Sequence, residues 1–210
     1  MWGGGRGLDI SYFAKLGAYA IDIDINSDLL KNIKQNLRKL DIYRNLEFIV
    51  ASAINIPFKE EVQDMITCFS VLDHLPDKTN AHKAIVEFSR ICRRLGYVVI
   101  TVPNLNFLIG TISMKLKSML ELETFFEQRF TPPELFRMLG SSGLKQVVFD
   151  AEYPTIVGSD IFNNNTPKIL GRVPKIMFLL RFVTRIFKTI SRIPSLKIFG
   201  ARMGYISKKE

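Results

Sequence analysis

Apolar positions along the first 150 residues follow two periods in turn, and this alternation predicts strands separated by helices. Between the short apolar runs, residues 28–40 and 80–94 repeat apolar side chains at helical spacing and form one stripe each. The runs of strand length are AYAIDID (18–24), LEFIV (46–50), DMITCFSVL (64–72) and YVVITV (97–102). Because strands that alternate with helices pair in parallel, we predict an α/β, doubly wound, mostly parallel sheet with helices on both faces.

Local signals set the ends of several predicted elements. Ser27 is the expected cap of the helix that follows the first strand. Thr131 is the expected cap of a later helix, which begins with two prolines and ends before Gly143. A strand is predicted at 144–153. Residues 105–130 interrupt the alternation with an apolar, helical insertion.

The stretch from Trp2 to Asp24 contains the best candidate for a ligand site. Gly3, Gly5 and Gly7 allow a tight turn and close approach of a ligand, and the following helix points its N-terminal amides at that turn. Asp24 ends the next strand, 17 residues beyond Gly7, where a Rossmann-like unit places an acceptor for ribose hydroxyls. A nicotinamide dinucleotide is disfavoured, because the third glycine of G-x-G-x-x-G is absent in both registers.

Composition favours a single intracellular domain. The 210 residues suit one core, and the two cysteines, Cys68 and Cys92, have no CxxC partner, which favours reduced thiols. No secretory signal is recognised, and no uncharged run reaches the ~18 residues of a membrane span. The net charge of +9 is local: residues 168–210 contain 11 basic residues against one acidic residue.

That basic segment contains an amphipathic pattern. Its cations recur on one helical face at spacings of four, three and four residues: Arg181, Arg185, Lys188 and Arg192. Apolar residues fill the other faces, as in a helix that lies in a membrane interface beside anionic lipid. A core helix with a solvated basic rim is the alternative. Nucleic acid is not expected as a partner, because aromatic and polar base-reading groups are lacking among the cations.

Five motifs in order and spacing carry a resemblance to a known family. They are the glycine loop, AIDIDINSDLL, NLEFIVASAINIPF, DMITCFSVLDHLPD and EFSRICRRLGYVVITVPN. On these motifs the chain resembles class I S-adenosylmethionine-dependent methyltransferases, in the group that includes ubiquinone and menaquinone biosynthesis methyltransferases. The resemblance covers residues 3 to about 153, with a final strand expected in RMGYISKK (202–209). The resemblance also predicts a buried strand before Gly3, but only Met1 and Trp2 precede that residue. Either the chain begins upstream of Met1, or this first strand is largely lacking.

The resemblance assigns a cofactor, S-adenosyl-L-methionine, and residues to bind it. It places Gly3, Gly5 and Gly7 against the methionine and ribose, Asp24 on the ribose hydroxyls and Ile25 on the adenine ring. Ser52 and Ala53 would line the adenine edge, and Phe69 and Ser70 would close the pocket floor. Three departures weaken the expected affinity: Met1 and Ser52 replace acids, and only Gly96 remains of a Pro-Gly-Gly turn.

Methyl transfer from a sulfonium needs no metal, and a base only when the acceptor must lose a proton. His74, with Asp73 beside it, is the predicted catalytic base; a structural cap is the alternative role. No metal is expected, because Ser70 occupies the position of the first acid in the metal-binding relatives.

Together these features predict one domain of two parts. Residues 1–153 form the cofactor-binding core with a helical lid at 105–130, and residues 154–210 add the basic amphipathic segment and the last strand. The predicted function is methylation of a small, lipophilic acceptor by a cytoplasmic protein at a membrane surface. The alternative is a degenerate, non-catalytic relative that serves as a membrane-associated binding module.

Overall fold

The computed structural model describes residues 7–107, 127–152 and 198–210. Its helices are α1 (Leu8–Lys15), α2 (Ser27–Leu37), α3 (Lys78–Ile91) and α4 (Pro132–Ser141). Its strands are β1 (Ala20–Asp24), β2 (Leu46–Val50), β3 (Gln63–Phe69), β4 (Cys92–Pro103), β5 (Leu144–Glu152) and β6 (Arg202–Lys209). Short 3-10 turns occupy Asp41–Asn45 and Leu72–His74.

The described strands form two hydrogen-bonded groups. β1 pairs with β2 in parallel, and β3 pairs with β4 in parallel. β6 lies between β4 and β5 and is antiparallel to both, so the strand order of the second group is β3-β4-β6-β5. The last strand of the chain therefore completes the same sheet as the first 150 residues.

Helices pack on both faces of this sheet, as the apolar patterns predict. On one face α1 and α2 bury a small cluster with β1, formed by Ile10, Ala20, Ile33 and Leu37. On the other face α3 and α4 cover the main core, to which β1, β3, β4 and β6 all contribute. The inward side chains of α3 are all buried: Ala81, Ala84, Ile85, Phe88 and Ile91. The predicted α/β Rossmann-like fold is confirmed.

Several predicted boundaries needed correction. The strand predicted at 64–72 ends at Phe69, and a 3-10 turn occupies Leu72–His74. The cap of α2 is Asn26 and not Ser27, since the Asn26 side chain accepts bonds from the amides of Asp28 and Leu29, each at 3.0 Å. β4 begins at Cys92, directly after α3, and not at Tyr97. A register shift opposite Gln63–Met65 accommodates the extra residues, with Leu95 in a left-handed conformation at φ 64°. A side chain at Gly96 would lie 2.8 Å from the Asp64 carbonyl oxygen, which explains the glycine there.

A cleft of about 400 Å³ lies between the facing sides of β1 and β3. Among the described strands, β1 pairs with β2 alone and β3 with β4 alone, so their facing edges border this cleft. The described lining residues come mainly from the amino-terminal halves of both strands, residues 18–21 and 63–66. None of them is a predicted site residue, and the cleft is therefore distinct from the candidate site described below.

Several predictions lie outside the described residues. They concern the region before Gly3, where the family's first strand is expected, most of the lid at 105–130, and the basic amphipathic segment. Residues 127–130 of the lid are described, and Phe130 forms a bridge to Asn104 at the end of β4. The two-part division of the domain stays a prediction.

Candidate functional site at the carboxyl edge of the sheet

The candidate site follows the carboxyl ends of β1, β3 and β4. In open α/β sheets ligands bind outside these ends, where loops diverge from the strands. Asp24 ends β1, Ser70 follows β3, and Asn104 follows β4. The order of the elements thus brings residues from distant parts of the sequence to one edge.

Asp24 is held at the edge by its own loop. One carboxylate oxygen, Oδ1, accepts a bond of 2.8 Å from the amide of Asn26, and the Asp24 carbonyl accepts one of 3.1 Å from Ala51. The next side chain, Ile25, is 71% exposed and so presents an apolar surface beside Asp24. A half-buried carboxylate beside an open apolar surface fits a ribose next to an adenine ring. The roles of Asp24 and Ile25 stay predictions.

Gly7 is glycine for two physical reasons. It precedes α1 in a left-handed conformation at φ 77°, which disfavours any residue with a side chain. In addition, a Cβ there would lie 2.6 Å from Cγ2 of Ile33 on α2. Gly7 therefore permits close helix packing beneath the loop. Gly3 and Gly5 lie outside the described residues.

Ser52 and Ala53 lie in the loop after β2, and contacts with the core and with α3 hold this loop in place. Ala53 is 3% exposed and belongs to the main core, so it supports the loop from beneath. Arg90 on α3 donates to the carbonyls of Ile56 and Phe58 at 3.1 and 2.8 Å, and Glu87 accepts from the Ile56 amide at 3.0 Å. The Arg90 guanidinium raises the charged fraction of Glu87 by lowering its pKa. The sequence did not predict these hydrogen bonds from α3 to the loop.

Phe69 and Ser70 end β3 at the centre of the edge. Ser70 has φ 51°, a strained value for a residue other than glycine. Its amide donates to the Thr101 carbonyl at 2.9 Å, and its hydroxyl accepts a bond of 2.6 Å from Nη1 of Arg202. Phe69 is half-buried. Their predicted place in the cofactor pocket floor is untested.

Asp73 and His74 lie in the 3-10 turn that follows. Asp73 is 1% exposed, and among the described residues neither of its carboxylate oxygens has a hydrogen-bond partner. Burial raises the pKa of Asp73. Nε2 of His74 lies 3.7 Å from Oδ2 of Asp73, and the His74 side chain is 56% exposed. A carboxyl behind an accessible imidazole is a suitable arrangement for a base, and the catalytic roles stay predictions.

Asn104 is the main structural residue that sequence reasoning did not assign a role. Fully buried, it donates from Nδ2 to the carbonyls of Ile198 and Gly200, each at 2.8 Å. Its amide donates to the Ala201 carbonyl at 2.9 Å. Asn104 therefore fixes the segment that enters β6. The only sequence signal was a polar residue directly after an apolar strand.

Asp22 is a second feature that the sequence did not flag. Its side chain points to the α1 face of β1, is 1% exposed, and neither oxygen has a partner among the described residues. Burial raises the pKa of Asp22 to about 6, and the like charges of Asp24 and Asp9 add to the shift. The carboxyls of these three residues thus lie near one another on the α1 side of the sheet.

Among the described residues, no group of three His, Cys, Asp or Glu side chains is placed to hold a metal ion. The expectation of a reaction without a metal remains a prediction.

Comparisons with known proteins find methyltransferases similar to part of this chain. Residues 1–100 match a family model described as a methyltransferase domain. The chain is 36% identical over 73 residues to a ubiquinone/menaquinone biosynthesis C-methyltransferase of Rickettsia felis, covering 35% of this chain and 28% of that protein. It is 37% identical over 71 residues, 34% of this chain, to a tRNA (carboxymethyluridine(34)-5-O)-methyltransferase of Arabidopsis thaliana. That alignment covers 18% of the Arabidopsis protein, so the chain spans less than a third of either relative.

Solved structures agree on the fold. An S-adenosylmethionine-dependent methyltransferase from Methanosarcina mazei has a TM-score of 0.70 at 15% identity, covering 99% of this chain and 90% of that one. A geranyl diphosphate C-methyltransferase from Streptomyces coelicolor, bound to Mg²⁺, geranyl diphosphate and S-adenosyl-L-homocysteine, has a TM-score of 0.64 at 12% identity. This match covers 100% of our chain and 69% of the other. Residues 1–100 are thus similar to a methyltransferase domain, and the chain shares the Rossmann-like fold of S-adenosylmethionine-dependent methyltransferases. The similarity to the quinone enzymes is limited to about a third of the chain.

Proposed function

We propose that this protein transfers a methyl group from S-adenosylmethionine to a small, lipophilic acceptor at a membrane surface. The observation that carries the proposal is that Asp24, Ser70 and the Asp73–His74 pair all lie at or just beyond the carboxyl ends of β1 and β3, on one edge of the fold. A binding carboxylate and an accessible base on the same edge are what a nucleotide-dependent transfer reaction needs.

Each residue has a distinct role in this proposal. The sulfonium of the cofactor supplies an activated methyl group, so positioning provides most of the rate acceleration. Asp24 accepts the ribose hydroxyls and Ile25 covers the adenine ring, while Gly7 lets α1 approach them. His74 takes a proton from the acceptor when one must leave, and Asp73 stabilises the resulting imidazolium.

Support for a lipophilic acceptor comes from two comparisons. The Rickettsia relative acts in quinone biosynthesis, and the Streptomyces neighbour binds geranyl diphosphate, which carries an apolar isoprenoid chain. The tRNA methyltransferase among the relatives supports a different acceptor class, a nucleic acid. The core at 1–153 is not basic, whereas nucleic-acid-binding proteins carry basic surfaces, and the stretch 105–130 is apolar. Both features favour the lipophilic acceptor.

Calorimetric titration with S-adenosylmethionine tests the cofactor site. We expect saturable binding by the wild type and by Asp41→Ala, a control that removes an exposed carboxylate. Asp24→Ala should lose the binding, because the ribose hydroxyls lose their acceptor. Unchanged affinity of Asp24→Ala would remove Asp24 from the site, and no heat from the wild type would favour the non-catalytic alternative.

Radiolabelled S-adenosylmethionine with a panel of prenylated phenols tests transfer. We expect label in the organic extract, and His74→Ala should reduce kcat by about 10²–10⁴ where the acceptor loses a proton. The acid limb of the rate profile should also disappear in the variant. A His74→Ala enzyme with the wild-type kcat and pH profile would assign His74 the structural role instead.

Flotation with vesicles tests the membrane surface. Among the described helices, none has the length and apolarity to cross a bilayer. The proposed contact uses the basic stripe of Arg181, Arg185 and Lys188, whose attraction to anionic lipid adds roughly 1 kcal/mol per charge. We expect flotation with phosphatidylserine vesicles that charge reversal of the three residues abolishes. Absence of the wild type from floated vesicles would exclude this part of the proposal.

A further inference from the structure

Arg202 lies at the candidate site although it is 132 residues from Ser70 in sequence. It is the first residue of β6 and pairs in register with Pro103, the last residue of β4. Since β6 runs antiparallel to β4, its beginning lies at the carboxyl edge of the parallel strands. The side chain is exposed there.

The guanidinium of Arg202 lies near enough to the buried carboxyl of Asp73 to oppose the rise that burial causes in the pKa of Asp73. Nη1 donates to the neutral hydroxyl of Ser70 at 2.6 Å, and no carboxylate whose side chain the structure describes forms an ion pair with Arg202. Arginine has five N–H donors in a planar fork that matches carboxylate and phosphate oxygens. The remaining donors are therefore available to an anionic group that enters the site.

The Ser70 hydroxyl is aimed at this position by its backbone. A φ of 51° is unfavourable for serine and persists only where the surrounding structure enforces it. The β3–β4 bond from the Ser70 amide to Thr101 enforces it here. A strained serine, a short hydrogen bond and an exposed cation thus occur together, close to Asp73 and His74.

We propose that Arg202, oriented by Ser70, binds an anionic group of the acceptor, either a carboxylate or a phosphate. This inference rests on the proposed function and extends it, since it makes the acceptor an amphiphile. The anionic group would lie at Arg202 and the apolar body would extend from it. Arg202 is then a residue that determines acceptor specificity and takes no part in proton transfer.

The test follows the side-chain Nε–Hε resonance of Arg202 in the full-length, ¹⁵N-labelled chain with S-adenosylmethionine present. The signal is assigned by its loss in Arg202→Gln. Inorganic phosphate and acetate are titrated separately at constant ionic strength, with chloride as the reference. We expect a saturable shift at Arg202, and at least tenfold tighter binding of one anion than of chloride. Preference for phosphate indicates a phosphorylated acceptor, and preference for acetate indicates a carboxylic acid.

Arg94→Gln is the matched control, because it removes one exposed cation near the opposite end of β4. It should keep the Arg202 shift and the anion affinity, whereas Arg202→Lys should weaken binding by losing the planar fork. Shifts at Arg202 no larger than those caused by chloride would overturn the inference. Calorimetry with S-adenosylmethionine on the same samples separates the two proposals. Cofactor binding without anion binding would refute the Arg202 subsite alone. Anion binding without cofactor binding would refute the proposed methyl transfer from S-adenosylmethionine.

Discussion

Replacement of Asp22 by Asn should make the protein more stable above pH 6 and change its pH dependence. Asp22 is a buried carboxyl on β1, and both of its oxygens lack partners among the described residues. Burial raises its pKa from 3.8 to about 6 in the folded state. The unfolded chain therefore loses this proton at lower pH than the folded chain, and folding stability falls as pH rises between those two values.

The magnitude follows from the shift. A difference between 3.8 and about 6 corresponds to roughly 3 kcal/mol of lost stability at pH 8, at about 1.4 kcal/mol per pKa unit. Only about 1 kcal/mol of that loss is present at pH 4.5, where the folded carboxyl is still protonated. An amide cannot ionise, so the advantage of Asp22→Asn should grow by about 2 kcal/mol between pH 4.5 and pH 8.

Urea denaturation of both proteins at several pH values measures this difference. Asp41→Asn, which changes an exposed carboxylate, should show a stability difference that hardly varies over the same range. A difference between wild type and Asp22→Asn that stays constant from pH 4.5 to pH 8 would refute the reasoning. It would mean that the Asp22 carboxyl titrates alike in the folded and unfolded chains.

Two further substitutions test the packing at the edge of the sheet. Gly7→Ala should lower the free energy of unfolding in urea by about 2–3 kcal/mol, because it combines a left-handed φ with a Cβ at 2.6 Å from Ile33. The control Gly17→Ala has a φ of 91° but open space around the new Cβ, so it should lower the free energy of unfolding by only about 1 kcal/mol. Equal losses would contradict the packing argument. Asn104→Ala should lower the free energy of unfolding by about 2–4 kcal/mol, because it leaves two carbonyls before β6 without their donor. A decrease no greater than that caused by Asn36→Ala, which changes an exposed residue, would disprove this role.

Local signals predicted the elements well where each residue's environment repeats a simple pattern. LEFIV forms β2 within the predicted bounds, and Thr131 caps α4 in a capping box with Glu134. The predicted start of β4 was wrong, because the close approach of Gly96 to Asp64 depends on the neighbouring strand β3. The cap of α2 was misplaced by one residue, since Asn26 and Ser27 are both good capping types.

The sequence by itself determined the alternation of strands and helices, and with it the end of β1 at Asp24. These follow from periodicity, which depends on neighbours a few residues away. Only the tertiary structure decided that Arg202 meets Ser70, that Asn104 fixes the entry to β6, and that Asp22 is buried with no hydrogen-bond partner among the described residues. Each of these depends on which elements pack against one another, and the periodicity of one segment does not specify the neighbours of that segment.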